Sequence, residues 1–438
     1  MTDTNIDKNN LDSSSEPRCQ YFVMRKKRLC RMTVKPGKQY CGEHEPQPLT
    51  ADGQDDTRIP CPNDPKHTCY ASKLEKHLSI CNSRPRQQPS YIVYNINSPR
   101  DKVSYHRRPL SQLSEERVLK VIQKINIVYD THIKGNITAE EQRPIHDVVL
   151  EEFSEKDRTE SSRRHLRQAS SLLRLAEAEG LVADNTCYVE LGAGRGRLSY
   201  YACAAWCGAR AGSAALLVER AAPRHKRDNK LAGAALRLRA DLAHLALARA
   251  PRVGARALVG LAKHLCGAAT DDAVLLAESP SDLQTLVTTM KDDCMIKDYA
   301  LRCITSDDVL DKCRGLVLAT CCHHRCEQAT FVANRHLQEL GISGDELNVM
   351  LGLVSWATCG DGRSRAERAA GAERGGGAER DGGAARAGRG EVGRRAKCVL
   401  DWGRVLYLRE RGFEARLCHY VPSSVSLENI CIVAKKRI

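Results

Sequence analysis

Aromatic side chains are scarce in this chain of 438 residues: four phenylalanines, three tryptophans and thirteen tyrosines, 5% of the total. Any core must therefore be filled with Leu, Val, Ile and Ala, and an apolar content of 42% is enough to build one. Long apolar runs are also missing. No stretch approaches the roughly 18 apolar residues that read as a membrane-crossing helix. The opening residues, "MTDTNIDKNNLDSSSEPRC", hold no apolar segment of the kind a secretory signal needs. The expectation is a chain of the cytoplasm, the nucleus or both, with no membrane partner and no obligate protein partner indicated. Cysteine, by contrast, is abundant at 20 residues. In a reducing compartment this points to metal sites and buried thiols, not disulfides. The net charge of +14 suits a polyanionic partner such as nucleic acid.

Composition divides the chain. Residues 1–18 read as a disordered lead-in. Residues 19–46 and 58–85 are rich in Cys and His, and residues 86–110, with Pro89, Pro99 and Pro109, read as a linker. From 111 to 180 the apolar spacing is helical: "LSEERVLKVIQKINIVYD" places Leu113, Val118, Val121, Ile122, Ile125 and Val128 near one face. Gly180 is a helix stop. From 187 onward short apolar runs alternate with helical stretches. "CYVEL", "AALLVE", "RALVGLA", "GLVLATC" and "ENICIVAKK" are the candidate strands of an α/β domain, 111–438, with a largely parallel sheet. Residues 361–396 are rich in Gly, Arg and Ala, with Val392 as the only large aliphatic residue, which predicts a disordered insertion.

The first Cys/His segment spaces Cys19, Cys30, Cys41 and His44 as C-x10-C-x10-C-x2-H. Three thiolates and an imidazole satisfy tetrahedral zinc, and a segment of this size needs metal to fold. "RKKR" at 25–28, beside Tyr21 and Phe22, offers charge and stacking rings to nucleic acid, or a nuclear-localisation patch. The second segment spaces Cys61, His67, His77 and Cys81 as C-x5-H-x9-H-x3-C. His77 and Cys81 are four apart, on one face of a helix starting near Ser72. Cys69 is left over as a structural thiol. Buried free thiols are the competing reading of both clusters.

"YVELGAGRGRLSYY" (188–201) reads as a strand, a glycine turn and a helix. A dinucleotide fingerprint would place a third glycine at Arg197. Here the strand ends in Glu190, followed by Gly192, Gly194 and Gly196. That acid-x-G-x-G-x-G order is the arrangement of S-adenosylmethionine methyltransferases. Glu219, ending the next strand, is positioned to hold both ribose hydroxyls. Asp241 is either a contact of the adenine amino group or an ordinary helix cap.

"LVGLAKHLCGAATDDAV" crowds Lys263, His264 and Asp271 where a strand meets the ligand-binding edge of such sheets. The next strand runs into "CCHHRC", with His323. Cys321–Cys326 read as pocket lining, or alternatively as a third metal site.

Together, "CxYFVxRKKRxCRM…YCGEH", "CPxDPxHT…LxxHLxxC", "VELGAGRGRLS", "KHLCGAATD", "CCHHRC", "SWATCG" and the closing "CVLDWGRVLYLRERGF…YVPSSVSLENICIVA" resemble the eukaryotic tRNA:m4X modification enzymes, from Cys19 to Ala434. The resemblance implies a Rossmann-like methyltransferase domain behind two small zinc-binding modules. It implies S-adenosylmethionine as donor and tRNA as partner. The product would carry a 2'-O-methyl ribose at nucleotide 4 of the acceptor stem, in the tRNAs for glycine, histidine and proline. Lys263 is then the first candidate for the proton acceptor, with His264, Asp271 and His323 as alternatives. The other readings are a methyltransferase acting on another RNA or on protein, and an RNA-binding adaptor with an inactive domain.

Overall fold

A computed structural model of the chain describes residues 17–24, 28–42, 44, 58–81, 83–84, 88–98, 108–139, 143–223, 226–231, 233–263, 296–320, 326–359 and 382–437. The chain divides into two units, Met1–Gln88 and Pro89–Ile438.

The first unit is built from very short elements. Strand β1 (Phe22–Val23) pairs antiparallel with β2 (Arg28–Leu29). Arg18 bridges Thr33, so the last residues of the expected lead-in belong to this module. Strands β3 (Arg58–Cys61) and β4 (Asp64–Tyr70) form a second hairpin, and one 3-10 turn leads into helix α1 (Leu74–Ile80). Neither hairpin encloses an apolar core, and Phe22, Met24, Leu29 and Ile80 are exposed.

The second unit opens with α2 (Glu115–Val128), capped by the Ser114 hydroxyl and burying Val121, Ile125 and Val128. A short strand, β5 (Ile137–Ala139), interrupts the stretch expected to be helical. Three residues are too few for an alternating pattern to register. Helices α3 (Asp147–Ser154) and α4 (Glu160–Ala178) follow, and Gly180, at φ +67°, ends α4 as expected. Then come β6 (Thr186–Leu191), α5 (Arg197–Ala202), β7 (Ala214–Val218), β8 (Ala235–Leu238) and β9 (Ala257–Lys263). The carboxyl-terminal half supplies α6 (Ile296–Ile304), β10 (Cys313–Ala319), α7 (Gly344–Leu353), α8 (Trp356–Cys359), α9 (Gly382–Glu410), β11 (Phe413–His419) and β12 (Ile430–Lys436).

These strands form one mixed sheet of eight, in the order β5-β11-β12-β10-β9-β6-β7-β8. From β8 to β10 neighbours are parallel, while β12 runs antiparallel to both β10 and β11. After the edge strand β5, the chain enters the middle of the sheet at β6, winds outward through β7 to β8, then returns to β9 on the other side. That reversal opens a crevice at the carboxyl ends of β6 and β9. Successive residues of β6 feed opposite faces: Cys187, Val189 and Leu191 join one core, and Tyr188 the other. Both faces are covered, so every residue of the strand is buried, Thr186 and Glu190 included.

Two boundaries expected from composition are corrected. Within the presumed linker, residues 89–98 dock onto the domain: the buried Asn97 amide donates to the carbonyls of Leu242 and Leu245 at 2.7 and 2.8 Å, and Ile92 bridges Leu245. The expected disordered insertion ends too late, because residues 382–396 are the first turns of α9. A Cβ on Gly393 would lie 2.2 Å from the Ala357 nitrogen, so glycine there lets α8 approach. Ala396 is fully buried, and Val392 packs against the core. A composition that reads as low complexity is in this stretch a helix-crossing surface. The rest of the insertion lies outside the described residues.

A buried ion network ties α6 and α9 to the end of β10. Arg404 is 1% exposed; its guanidinium donates to Asp298 at 3.0 and 3.1 Å and to Asp401 at 2.9 Å. Asp401 in turn accepts from the Thr320 hydroxyl at 2.8 Å. Removing one partner would strand a buried charge. Asp298→Ala is expected to cost this domain about 3–5 kcal/mol in denaturant unfolding; a loss below about 1 kcal/mol would show the network is not structural.

Candidate functional site

The two Cys/His clusters converge as their spacing predicts. Cys19, Cys30, Cys41 and His44 bring four ligand atoms together, as do Cys61, His67, His77 and Cys81. In the first, the His44 Nδ1 lies 3.5 Å from Cys19 Sγ and 3.4 Å from Cys41 Sγ, with Cys30 and Cys41 sulfurs 4.0 Å apart. In the second, the sulfurs are 3.7 Å apart, the two imidazole Nε2 atoms 3.2 Å, and the mixed pairs 3.2 and 3.4 Å. Tetrahedral zinc with bonds of about 2.0–2.3 Å sets ligand atoms roughly 3.3–3.8 Å apart. The donor sets therefore fit zinc. The mechanical reason is local: α1 carries His77, and the Cys81 amide caps it by donating to the His77 carbonyl at 2.7 Å. Burial would raise the Cys19 thiol, but backbone hydrogen bonds from Cys41 and Tyr21 and the His44 ring bring it down to about 6. Cys69 is buried outside the set, and burial raises its thiol. Tyr21 stacks one ring face on His44, with centroids 3.9 Å apart.

In the second unit, β6 hands over to α5 through three glycines in the left-handed region: Gly192 at φ +71°, Gly194 at +49° and Gly196 at +70°. At Gly196 a Cβ would meet Asp228, Leu217 and Arg237 within 2.9 Å. At Gly194 it would meet nothing, so the backbone there forms an open cradle. Glu190 is buried beneath the turn. Its Oε2 accepts both the Ser199 amide, at 2.9 Å, and the Ser199 hydroxyl. Burial raises its carboxyl to about 7, against those hydrogen bonds and the charges of Arg237 and Lys263. The Glu219 carboxylate accepts from the Gly194 amide at 2.7 Å and the Ala221 amide at 2.9 Å. It thus stands at the glycine turn, as its position after the second strand predicts.

Lys263 ends β9, next to β6. Its ammonium donates to the His165 carbonyl at 2.9 Å. Burial and then Arg197 lower its pKa to about 8, with Glu190 opposing. Asp241 is a cap: it accepts from the Ala243 amide at 2.9 Å, and its other oxygen faces Arg220 at 3.5 Å. The bland alternative for Asp241 is therefore what the geometry displays. His264, Asp271 and His323 lie outside the described residues. Of the Cys321–Cys326 stretch, only Cys326 is described; it is buried and accepts from Arg404 at 3.4 Å.

Sequence reasoning missed the residues that brace the turn. Arg237 clamps Asp228 at 2.7 and 2.8 Å and donates to the Gly194 carbonyl at 2.9 Å. Arg227 ties Glu152 of α3 to the Tyr201 hydroxyl of α5. No spacing rule relates partners 75 residues apart.

The fold and the two donor sets define a class: a methyltransferase domain preceded in the chain by two zinc-finger modules. Residues 167–435 match the family model described as "Methyltransferase TRM13". Residues 17–45 match "CCCH zinc finger in TRM13 protein", and residues 58–82 match "U11-48K-like CHHC zinc finger". The chain belongs to the TRM13 methyltransferase family. A Mus musculus protein named "tRNA:m(4)X modification enzyme TRM13 homolog" is 33% identical, covering 95% of this chain and 94% of its own length. The Homo sapiens protein of the same name is 32% identical over 96% and 95%. "tRNA:m(4)X modification enzyme TRM13" of Eremothecium gossypii is 28% identical over 96% and 95%.

Dialysis of the whole chain against a strong chelator should remove two zinc equivalents, one per donor set. Residues 17–84 should then become protease-sensitive while the Pro89–Ile438 unit keeps its own cooperative melt. Unchanged protease resistance of the first unit without metal would contradict a folding role for zinc.

Proposed function

We propose that this chain transfers a methyl group from S-adenosylmethionine to the ribose 2'-hydroxyl of nucleotide 4 in the acceptor stem of tRNA, with glycine, histidine and proline tRNAs as substrates. The observation that carries this reading is the meeting of Glu190, the three left-handed glycines and Lys263 at the crevice between β6 and β9. The strand order, winding out from β6 and back, supports the Rossmann-like assignment. The names of the relatives support tRNA as the acceptor.

When bound, S-adenosylmethionine supplies an activated methyl group. The protein must align the acceptor and take up one proton. The open backbone at Gly194 gives the donor room. Glu219 keeps a lone pair on each oxygen, beyond its two amide bonds, for the ribose hydroxyls. Asp241 would approach the adenine side only by sharing its capping role. Lys263, with its pKa near 8, holds an appreciable neutral fraction near pH 7.5 and is the proton acceptor in this reading. His264, Asp271 and His323 remain alternatives. The zinc modules, with Arg28 and the exposed faces of Phe22 and Met24, and the basic surface grip the stem by shape and phosphate contact.

The decisive assay incubates zinc-loaded protein with labelled S-adenosylmethionine and unmodified total tRNA, then maps the label by nuclease digestion and mass spectrometry. A 2'-O-methyl nucleoside at acceptor-stem position 4 is expected. Lys263→Ala should lower turnover by roughly 10²–10⁴-fold with donor binding retained; near-normal turnover would remove Lys263 from the role. Donor binding without any transfer would redirect the reading to another acceptor, and no binding at all to an inactive adaptor.

Glu190 provides a pH test. The folded chain keeps a proton on it up to about 7, whereas the ordinary value is 4.5. Its contribution to stability therefore falls as pH rises from about 4.5 to about 7 and is flat above. Ionised Glu190 favours the cationic donor, so donor affinity measured by calorimetry should rise as pH passes through about 7. Glu190→Gln should flatten that profile; an unchanged profile would assign the titration elsewhere.

A further inference from the structure

Helix α4 carries chemistry on two adjoining stretches. His165 accepts the Lys263 ammonium through its carbonyl. Beyond it, Arg167, Ser170, Ser171 and Arg174 form one wall of a cleft of about 370 Å³. The facing wall is the segment 420–425 that follows β11, and Arg143 lines the cleft as well. Because β11 and β10 are both antiparallel to β12, they run the same way. The chain thus leaves β11 on the carboxyl edge of the sheet, the edge that also carries Lys263.

The walls are pinned together. The Ser171 hydroxyl donates to the Tyr420 carbonyl, and the Ser170 hydroxyl accepts from the His146 amide at 2.8 Å. Arg143 donates to the Arg174 carbonyl at 3.3 Å. Arg167 and Arg174 meet carboxylates only at long range. Arg174 reaches Asp147 and Glu177 only at 3.5 and 3.7 Å, and its buried Nε has no hydrogen-bond partner among the described residues. Arg167 meets Glu160 at 3.5 Å and lies over the Phe153 ring. Among the described residues lining the cleft none is acidic, and Ile145, Val421 and Val425 add apolar surface.

Guanidinium forks in a cleft whose described lining holds no carboxylate suit phosphate, which they meet bidentately. Arg167 and Arg174 are two turns apart, about 10 Å along the helix axis. We propose that this cleft seats phosphates of the RNA strand that carries the reacting ribose, an inference that rests on the RNA methyl transfer proposed above. The phosphate is either an internal phosphodiester or the 5'-terminal monophosphate; the chemistry of the site is common to both.

The test is fluorescence anisotropy with the full zinc-loaded chain and a 5'-monophosphorylated tRNA transcript, over about 50–300 mM KCl. Arg143→Ala and Arg167→Ala should each weaken binding about three- to tenfold and make the log K against log salt slope shallower by about one. Ser424→Glu, a charge placed on the exposed loop, should weaken it as well and carries little folding risk. Arg167→Lys should keep the salt slope while recovering only part of the affinity. Donor affinity by calorimetry and thermal melts should stay at parental values. If the arginine effects vanish on a phosphatase-treated transcript, the terminal phosphate is the ligand; if they persist, the internal phosphodiesters are. RNA affinity within twofold of the parent in both alanine variants and in Ser424→Glu would overturn the proposal. Binding is read without methyl transfer, so the two readings fail separately: lost RNA affinity in an inactive protein sinks only the reaction, and intact affinity in an active protein sinks only the cleft.

Discussion

Glu190 is buried at the carboxyl end of β6, and the local architecture is arranged around that carboxyl. Its Oε2 is satisfied from one residue, Ser199, by both amide and hydroxyl. Ser199 can do this only because α5 starts directly after a turn that passes three times through the left-handed region. The turn is in turn held by Glu219 from the end of β7 and by Arg237 in β8. Lys263, from the other neighbouring strand, adds its charge to the same spot. Burial that would otherwise penalise a carboxylate here sets a proton affinity near neutrality, and the backbone cradle above it follows from the same constraint.

The second organising device is long-range pairing of arginine with carboxylate. Arg404 with Asp298 and Arg227 with Glu152 join elements distant in sequence, while Arg237 with Asp228 and Arg404 with Asp401 are local pairs that complete the same devices. The Arg404 network is fully buried and the Arg227 and Arg237 pairs are partly exposed, so their energetic weight differs. The Arg404 network joins two helices at the end of β10, and the other two hold the segment between β7 and β8 against its neighbours. Apolar packing sets where the strands lie; these pairs set how the connecting segments leave them.

The zinc modules follow a different logic. Their hairpins bury few apolar side chains, so four donor atoms per module replace a core as the source of order. This is why their ligands could be read from spacing: a tetrahedron imposes a short list of residue types, and a helix carrying His77 toward Cys81 imposes the interval between them.

By itself, the sequence determined the eight residues of the two Cys/His donor sets, the glycine turn with Glu190 ahead of it, and five strands of the sheet. Each is a local pattern in which period, residue type or spacing has one physical meaning. Tertiary structure alone decided the rest. Strand β11 is placed by pairing along its whole length with β12, and the short β5, which has no period of its own, only by pairing with β11. Residues 382–396 look like filler until α8 packs on Gly393, and the supposed linker is ordered by Asn97 reaching carbonyls about 145 residues away. Asp241 satisfies a cap as well as any ligand role, because a carboxylate two residues before an orphan amide is useful in either case. The pairings of Arg227 with Glu152 and of Arg404 with Asp298, and the reach of Arg237 to the Gly194 carbonyl, were invisible for one reason: such a contact needs only proximity in space, and proximity between distant elements leaves no trace in the order of the residues.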